Sequence, residues 1–309
     1  MKNSFPKLIV ITGPTATGKT RVAVKLAHLL NGEIISADSR QIYRGMDIGT
    51  GKDLDEYNGI PYHLIDILDP SENYSVYDFQ IGFLSSYESI VKRGKLPILC
   101  GGTGYYIESI LLGYELQDRP PPDENLRKKY MSKSKSFLLG KLKSKVNDNS
   151  IFETLLVDTK VQIIRQIEIF SAPKNFNNSG PIVNPMKDDS LIIGIDSGRD
   201  IVRDLIKKRL VDRVEDGMIE EVQSLLDGGL HIDRLDYFGL EYKYVGSYLK
   251  NDLSKEEMIQ ELTTAIRRFA KRQRTWFRGM EKKGMEIHWI DPSQDKNPEK
   301  TIQSMLKHE

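Results

Sequence analysis

The chain has a single cysteine, Cys100, among its 309 residues. An internal disulfide framework and a cysteine-rich zinc module are therefore excluded. Long apolar runs are also missing. Leu8–Ile11 is typical of the longest, so no segment can span a bilayer as a helix. The N-terminal residues carry Lys2 and a short apolar run that leads straight into a glycine motif, which is not a secretory signal. A cytoplasmic location is expected. No excess of one charge sign exists either: 45 Lys and Arg face 44 Asp and Glu, a formal net charge of +1. Net charge alone thus says nothing about partners, and its distribution must. The 39% apolar and 29% charged residues that are present suffice for a core and exclude a disordered chain. The length fits about two domains, or one large domain with an insertion.

The first third alternates strand and helix patterns. Lys7–Ile11, Glu33–Ala37, Tyr62–Leu68 and Leu96–Cys100 read as strands. Helical spacing connects them: Val22, Ala23, Leu26, Leu29 and Leu30 on one side, and Phe79, Phe83, Tyr87 and Ile90 within Val76–Lys92. This alternation predicts a parallel sheet covered on both faces. The pattern breaks at Asp118–Pro122, whose proline triplet marks a boundary. A basic stretch over Arg127–Lys145 follows, then a helix at Val161–Phe170 and a loop at Ser171–Asp189. Leu191–Ile195 returns to the sheet, and the remainder reads as mostly helical. The expected fold class is α/β, a P-loop NTPase-like doubly wound parallel sheet. The core comprises residues 1–117 and 191–309, with a mainly helical insertion at 118–190.

Gly13-Pro14-Thr15-Ala16-Thr17-Gly18-Lys19-Thr20 fits G-x-x-x-x-G-K-[ST] at every fixed position. A strand precedes it and a helix follows, as the motif requires. Such glycines let backbone N–H groups converge on phosphate oxygens, and the helix N-terminus adds positive potential. Lys19 suits a distal phosphate, and the Thr20 hydroxyl suits Mg²⁺. The motif indicates a polyphosphate and is not specific to ATP. A phosphotransferase also needs a metal-binding acid at a neighbouring strand end. Asp66 and Asp196 are the candidates, and neither matches cleanly.

Asp38 follows the second strand, and Gly101-Gly102-Thr103-Gly104 leaves the fourth. Both fall on the strand edge where doubly wound sheets bind ligands. Asp38 could bind metal, hydrogen-bond a base or accept a proton; it could equally close an Asx turn or cap a helix. The glycine pair could be a tight turn. Lys255–Arg278 reads as one helix with Leu262, Ile266, Phe269 and Trp276 on one face. Arg267, Lys271, Arg274 and Arg278 form a stripe roughly opposite, widened by Arg268 and Arg272. Like charges at this spacing repel unless a partner rich in phosphate offsets them. A solvated basic face is the plainer alternative. A second basic run, at 127–145, in a nearly neutral chain favours nucleic acid.

These segments together resemble the tRNA dimethylallyltransferase (tRNA isopentenyltransferase) family. The resemblance rests on residues 13–20 and 35–52, DPSENYSVYDF at 69–79, GGTGYY at 101–106, the Gln162–Arg165 pair and KRQRTWFR at 271–278. The segments occur in the family's order and span nearly the whole chain. The P-loop alone is widely shared, whereas DSRQIYRGMDIGT and KRQRTWFR are specific. The resemblance implies transfer of a dimethylallyl group from dimethylallyl diphosphate to N6 of the adenosine just 3′ of the anticodon (position 37). Diphosphate would be released. It implies Asp38, Thr15, Lys19 and Arg209 as catalytic residues and Gly13–Thr20 as the diphosphate or nucleotide cradle, with Mg²⁺ on Thr20. Arg209 read without the resemblance could be a solvated helix arginine. It implies tRNA contacts from Asp38, Ser39, Arg40, Gln41, Thr103, Arg127, Val161, Gln162, Arg165, Tyr242 and Lys243. Lys271, Arg272, Gln273, Arg274 and Arg278 complete that set. The insertion would clamp the anticodon stem-loop. A monomer without membrane attachment is expected, and no Cys/His set follows the basic helix, as in bacterial members.

Two positions depart from the family pattern. Many members carry R-x-V-G-Y-[RK] before the last basic helix, where this chain has Phe238-Gly239-Leu240-Glu241-Tyr242-Lys243. Tyr242 and Lys243 remain, while the leading arginine and the usual glycine do not. An arginine of the family's Gln–Arg pair also appears here as Gln162. Two other functions use the same residues: an ATP-dependent small-molecule or nucleotide kinase, and a non-catalytic RNA-binding protein. The cradle recognises only phosphates, so ATP is a candidate competing ligand.

Overall fold

Strand β1 (Leu8–Thr12) is buried at every residue, as a central strand covered on both faces must be. It pairs in parallel with β4 (Leu96–Gly101) and β5 (Ser190–Ile195) on its two sides. β2 (Gly32–Ser36), β3 (Tyr62–His63) and β6 (His288–Ile290) complete a parallel six-stranded sheet of order β3-β2-β4-β1-β5-β6. The computed structural model describes residues 6–117, 119, 120, 122–146, 148–155, 157, 159–173 and 183–308. Asp118, Pro121 and residues 174–182 of the expected boundary and loop lie outside these.

Period-two alternation sorts strand residues between two cores. Val10, Ile35, Leu99 and Ile192 pack with Phe79 and Phe83 of α2 (Val76–Lys92) and Ile107 and Ile110 of α3 (Gly104–Leu111). Ile9, Ile11, Ile34, Ile98 and Ile193 pack with Leu26 of α1 (Lys19–Leu30). A third cluster joins α8 (Arg199–Glu215), α9 (Met218–Asp227), α10 (Leu240–Leu249) and α11 (Lys255–Lys282) through Leu210, Val222, Val245 and Leu262. α11 also reaches the sheet: Phe277 and Met280 belong to the first cluster. Its start is fixed by a capping box between Ser254 and Glu257, which satisfies two orphan N–H groups.

Contacts divide the chain into two compact units, Glu115–Ile182 and the remainder. The expected insertion ran from 118 to 190. Val183 instead lies in the sheet's first core cluster, and residues 187–189 form a short 3₁₀ turn leading into β5. In the smaller unit α4 (Glu124–Met131), α5 (Lys135–Lys143) and α7 (Lys160–Ser171) bury Tyr130, Leu138, Leu142, Ile163, Ile164 and Ile167 together. A short α6 (Asn149–Thr154) lies between α5 and α7 in the chain.

Two readings of periodicity need correction. The third strand stops at His63, because Leu64 and Asp66 adopt left-handed φ of 63° and 55°. On α11, Phe269 and Trp276 are 38% and 39% exposed, whereas Phe277 is fully buried. The helix turns its apolar stripe by one residue where it passes from the helical cluster to the sheet. The strand at His288–Ile290 falls within the stretch read as mostly helical. Phe277→Ala empties a closed site at that crossing and is expected to lower the unfolding free energy by about 3–5 kcal/mol. Urea denaturation checks this; a loss below about 1 kcal/mol would exclude Phe277 from the core.

Candidate active site at the strand ends

The turn after β1 exists because of Gly13. Its φ is +141°, and a Cβ there would lie 2.2 Å from the Ile195 carbonyl oxygen. Only glycine lets the turn pass so close to the end of β5. Gly18, at φ 78°, then opens α1. Inside the turn the Thr17 hydroxyl donates to the Pro14 carbonyl at 2.9 Å, and Lys19 Nζ donates to the same oxygen at 2.6 Å. Lys19 thus lies folded over the cradle. Burial first, then the charge of Arg209, pushes its ammonium down to about 8, against the opposing fields of Asp38 and Asp196. Cys100 behind it is pushed up to about 12 by burial and stays a neutral thiol.

The ends of β2 and β4 close on one another in the same manner. Ala37 N–H donates to Cys100 O at 2.8 Å, and Thr103 N–H donates to Ala37 O at 3.1 Å. A Cβ on Gly101 would lie 2.3 Å from Ala37 O. Ser39 N–H donates to Thr103 Oγ1 at 3.1 Å. Asp38 Oδ1 accepts from Arg40 N–H at 2.9 Å, so Asp38 does close an Asx turn. Its other oxygen makes no hydrogen bond among the described residues. Since β4 lies between β2 and β1, the acid and the cradle are two strand spacings apart, about 10 Å.

Around this edge the arginines are held by acids. Arg209 lies 3.2 Å from Asp53, and Arg213, one turn on, lies 3.6 Å from the same carboxylate. The two guanidiniums crowd Gly51, where a Cβ would meet Arg213 at 1.5 Å. Burial, then Arg209, pushes Arg213 down to about 10. Arg274 donates twice to Asp196, at 2.7 and 2.6 Å, and once to Gly198 O. Its side chain is 13% exposed, so it leaves the open stripe expected of it. That pairing also occupies Asp196 as a metal acid, while Asp66 is taken by the buried Lys52.

Several residues expected at an RNA surface are instead turned inward. Tyr242 is fully buried and its hydroxyl donates to Glu221 at 2.7 Å. Gln41 accepts from Ser36 Oγ and donates to Gly51 O. Gln273 accepts from Thr15 N–H and donates to Gly102 O, both at 2.9 Å. Lys271, Arg272 and Arg278 are exposed, as is Lys243, 3.7 Å from Asp236. Arg40 lies over the Tyr237 ring at 5.2 Å, with Arg234 also over that ring at 5.0 Å. In the smaller unit Arg127 and Arg165 share the buried Glu168, Gln162 completes the Thr159 capping box, and Val161 is 55% exposed. Sequence reasoning missed Arg213, Glu221 and Tyr237. Glu221 accepts from the N–H groups of Asp47, Ile48 and Gly49, shaping the loop after β2. Only the i, i+4 spacing of Arg209 and Arg213 signalled any of these.

A parallel sheet with a glycine-lined phosphate cradle at its C-terminal edge defines a P-loop-like α/β protein. Two family models match it: IPP transferase over residues 41–280 and isopentenyl transferase over residues 6–59. The chain is 52% identical over 292 residues to tRNA dimethylallyltransferase 1 of Azobacteroides pseudotrichonymphae, covering 92% of this chain and 93% of that protein. It is 50% identical over 293 residues to tRNA dimethylallyltransferase 2 of a Bacteroides fragilis strain, covering 93% of each. The crystal structure of the full-length tRNA isopentenylpyrophosphate transferase from Bacillus halodurans superposes with a TM-score of 0.70 at 35% identity, covering 98% of this chain and 97% of that one. A eukaryotic dimethylallyltransferase acting on tRNA gives a TM-score of 0.75 at 25% identity, covering 92% of this chain and 73% of that one. The chain belongs to the tRNA dimethylallyltransferase (IPP transferase) family.

The Lys19 shift sets a pH dependence. A pyrophosphate seated on the turn of residues 13–20 would draw on the ammonium form, so in metal-free buffer with EDTA its affinity is expected to fall as pH rises through about 8. The fall should approach tenfold per pH unit. Stability runs the other way. The folded value lies below the ordinary 10.5, so the unfolded chain holds more protons between about 8 and 10.5, and Lys19 becomes less destabilising as pH rises there. Calorimetric titration of the wild type and Lys19→Met checks this, since the variant should lose the affinity change. Its survival would assign the titration to another group.

Proposed function

We propose that this chain, acting as a cytoplasmic monomer, transfers the dimethylallyl group of dimethylallyl diphosphate to N6 of adenosine 37 of tRNA. The observation that carries this reading is the shared edge: an acid after β2 and a phosphate cradle after β1, with the glycine turn of β4 between them. A gap of about 10 Å suits a diphosphate at one end and a reacting amine at the other. Membership of the family supplies the reaction class.

The donor's diphosphate would sit on the turn of residues 13–20. Lys19, the Thr15 hydroxyl and an Arg209 released from Asp53 would meet its growing charge. As the C1–O bond breaks, its electron pair leaves with diphosphate. The N6 lone pair forms the new C–N bond, and Asp38 takes the N6 proton. The adenine must leave its stack to reach this gap. The exposed Lys271, Arg272 and Arg278 would hold nearby phosphates, with Arg40, Thr103 and Lys243 near the acceptor strand. The smaller unit would grip the anticodon stem-loop through Val161 and the basic surface of α4 and α5.

Magnesium fits this site in a limited way. No cluster of three or more His, Cys, Asp or Glu exists among the described residues, and Asp196 is engaged by Arg274. Thr20 stands half-buried in the first turn of α1. Thr20 Oγ1 would hold such an ion, whose charge would be available to offset that of the leaving diphosphate. The two acids that a kinase reading would use for its metal, Asp66 and Asp196, are both paired, with Lys52 and Arg274.

Incubation with labelled dimethylallyl diphosphate and undermodified tRNA should place label on adenosine 37. Transfer of ATP's γ-phosphate without prenylation would overturn the reading. Asp38→Ala should abolish transfer and change RNA affinity by less than about twofold, since only the proton acceptor is lost. Unchanged turnover would remove Asp38 from its role. Arg272→Ala should reduce the salt dependence of RNA binding by about one unit of slope. An unaltered slope would place Arg272 outside the interface.

A further inference from the structure

Gln273 lies in the middle of the most basic stretch of the chain, yet it is only 7% exposed. Its neighbours Lys271 and Arg272 face solvent, and Arg274 is bonded to Asp196 beyond β5. Gln273 itself points at the phosphate cradle. Its Oε1 accepts the Thr15 N–H at 2.9 Å, and its Nε2 donates to Gly102 O at 2.9 Å. One partner is a donor and the other an acceptor, which a neutral amide satisfies together. The fit is tight, since a Cβ on Gly102 would lie 2.5 Å from Nε2. One turn on, Trp276 leans on Gly104, where a Cβ would lie 2.3 Å from the indole. α11 is therefore registered against the ends of both β1 and β4.

Thr15 belongs to the cradle, and its N–H is one of the groups such a loop can aim at a phosphate. Here it is committed to the helix instead. A shift of α11 along its axis or about it moves an atom of the cradle directly. We propose that Gln273 is a positioning residue that couples occupancy of the exposed basic face of α11 to the geometry of the phosphate cradle. RNA binding and donor binding are thereby thermodynamically linked. The proposal rests on the reading above that α11 carries RNA. It differs from that reading for Gln273 itself, whose amide contacts the cradle and not RNA. Linkage is reciprocal, so one ratio describes both directions.

The experiment measures the dissociation constant of inorganic pyrophosphate by calorimetry, with and without a saturating anticodon stem-loop RNA. Wild type, Q273M and Q273E are compared in the same Mg²⁺-containing buffer. Methionine keeps the length and removes both hydrogen bonds; glutamate keeps the acceptor for Thr15 N–H and loses the donor for Gly102 O. The wild-type ratio is expected to lie in the usual range for coupled sites, roughly 5–150-fold. In Q273M it should fall towards one, while stem-loop affinity of the donor-free protein stays within about twofold. Should Q273M fail to fold in a thermal melt, Q273E carries the comparison, with a ratio expected between the other two. A wild-type ratio of one would overturn the proposal. So would a variant ratio equal to wild type, or a matching loss of donor-free RNA affinity, which would make the amide an RNA contact. Failure of the wild type to bind the stem-loop at all would instead sink the reading of α11 as an RNA helix.

Discussion

The close approach of backbone at the C-terminal ends of β1, β2, β4 and β5 is the constraint on which everything else depends. Gly13 and Gly101 each sit where a side chain would penetrate a neighbouring carbonyl. Without them the strand ends would splay, and the acid after β2 would lie farther from the phosphate turn. The hydrogen bonds Ala37–Cys100 and Thr103–Ala37 extend the ladder past the last sheet residues. The site is thus a continuation of the sheet. Its precision derives from strand pairing more than from side-chain packing, and sites built on rigid elements hold their geometry best.

That edge collects more positive charge than a free protein can leave unpaired. The Arg209 charge lies close enough to Lys19 and Arg213 to help push both of them down. Asp53 holds the first two, Asp196 holds Arg274, and the Pro14 carbonyl receives Lys19. An incoming anion therefore competes with partners already in place. Half-exposed Asp53 is the easiest of these to displace. Arg274 and Asp196 are much less exposed, and parting them would leave an uncompensated charge in a nearly dry setting. The division separates cations that can move to a ligand from cations that hold the frame.

Local chemistry made the cradle and the alternation of strands and helices readable, since glycines and β-branched runs act within a few residues. Other features depend on what lies opposite. Tyr62–Leu68 has a strand's composition, but Leu64 and Asp66 turn left-handed, Asp66 meeting Lys52. The charge stripe on α11 predicted an exposed Arg274, and only the proximity of β5 reveals its partner. Trp276 and Phe277 exchange their expected places because the helix crosses from one core to another, which a single helical period cannot express. Tyr242 and Gln41 show the same limit: a motif marks residues that matter, without saying whether they touch a ligand or shape the loop that does. The proline triplet marked one domain edge, whereas the return to the sheet was read at Leu191 and the larger unit already resumes at Val183.

The departure at Phe238 has a physical account in the same terms. Phe238 is 1% exposed, with Tyr43 at 5.0 Å, Tyr237 at 5.4 Å and Tyr242 at 6.1 Å between ring centroids. A guanidinium could not occupy that position without a buried, unpaired charge. The cation stands one helical turn earlier instead. Arg234 lies over Phe238 at 5.4 Å and donates to Pro70 O at 2.5 Å and Asn73 Oδ1 at 3.2 Å. It thereby ties down the DPSEN segment and, through Tyr237, the face on which Arg40 rests. Aromatic packing fills the position where the resemblance implied an arginine, and Arg234 lies over the same Tyr237 ring as Arg40.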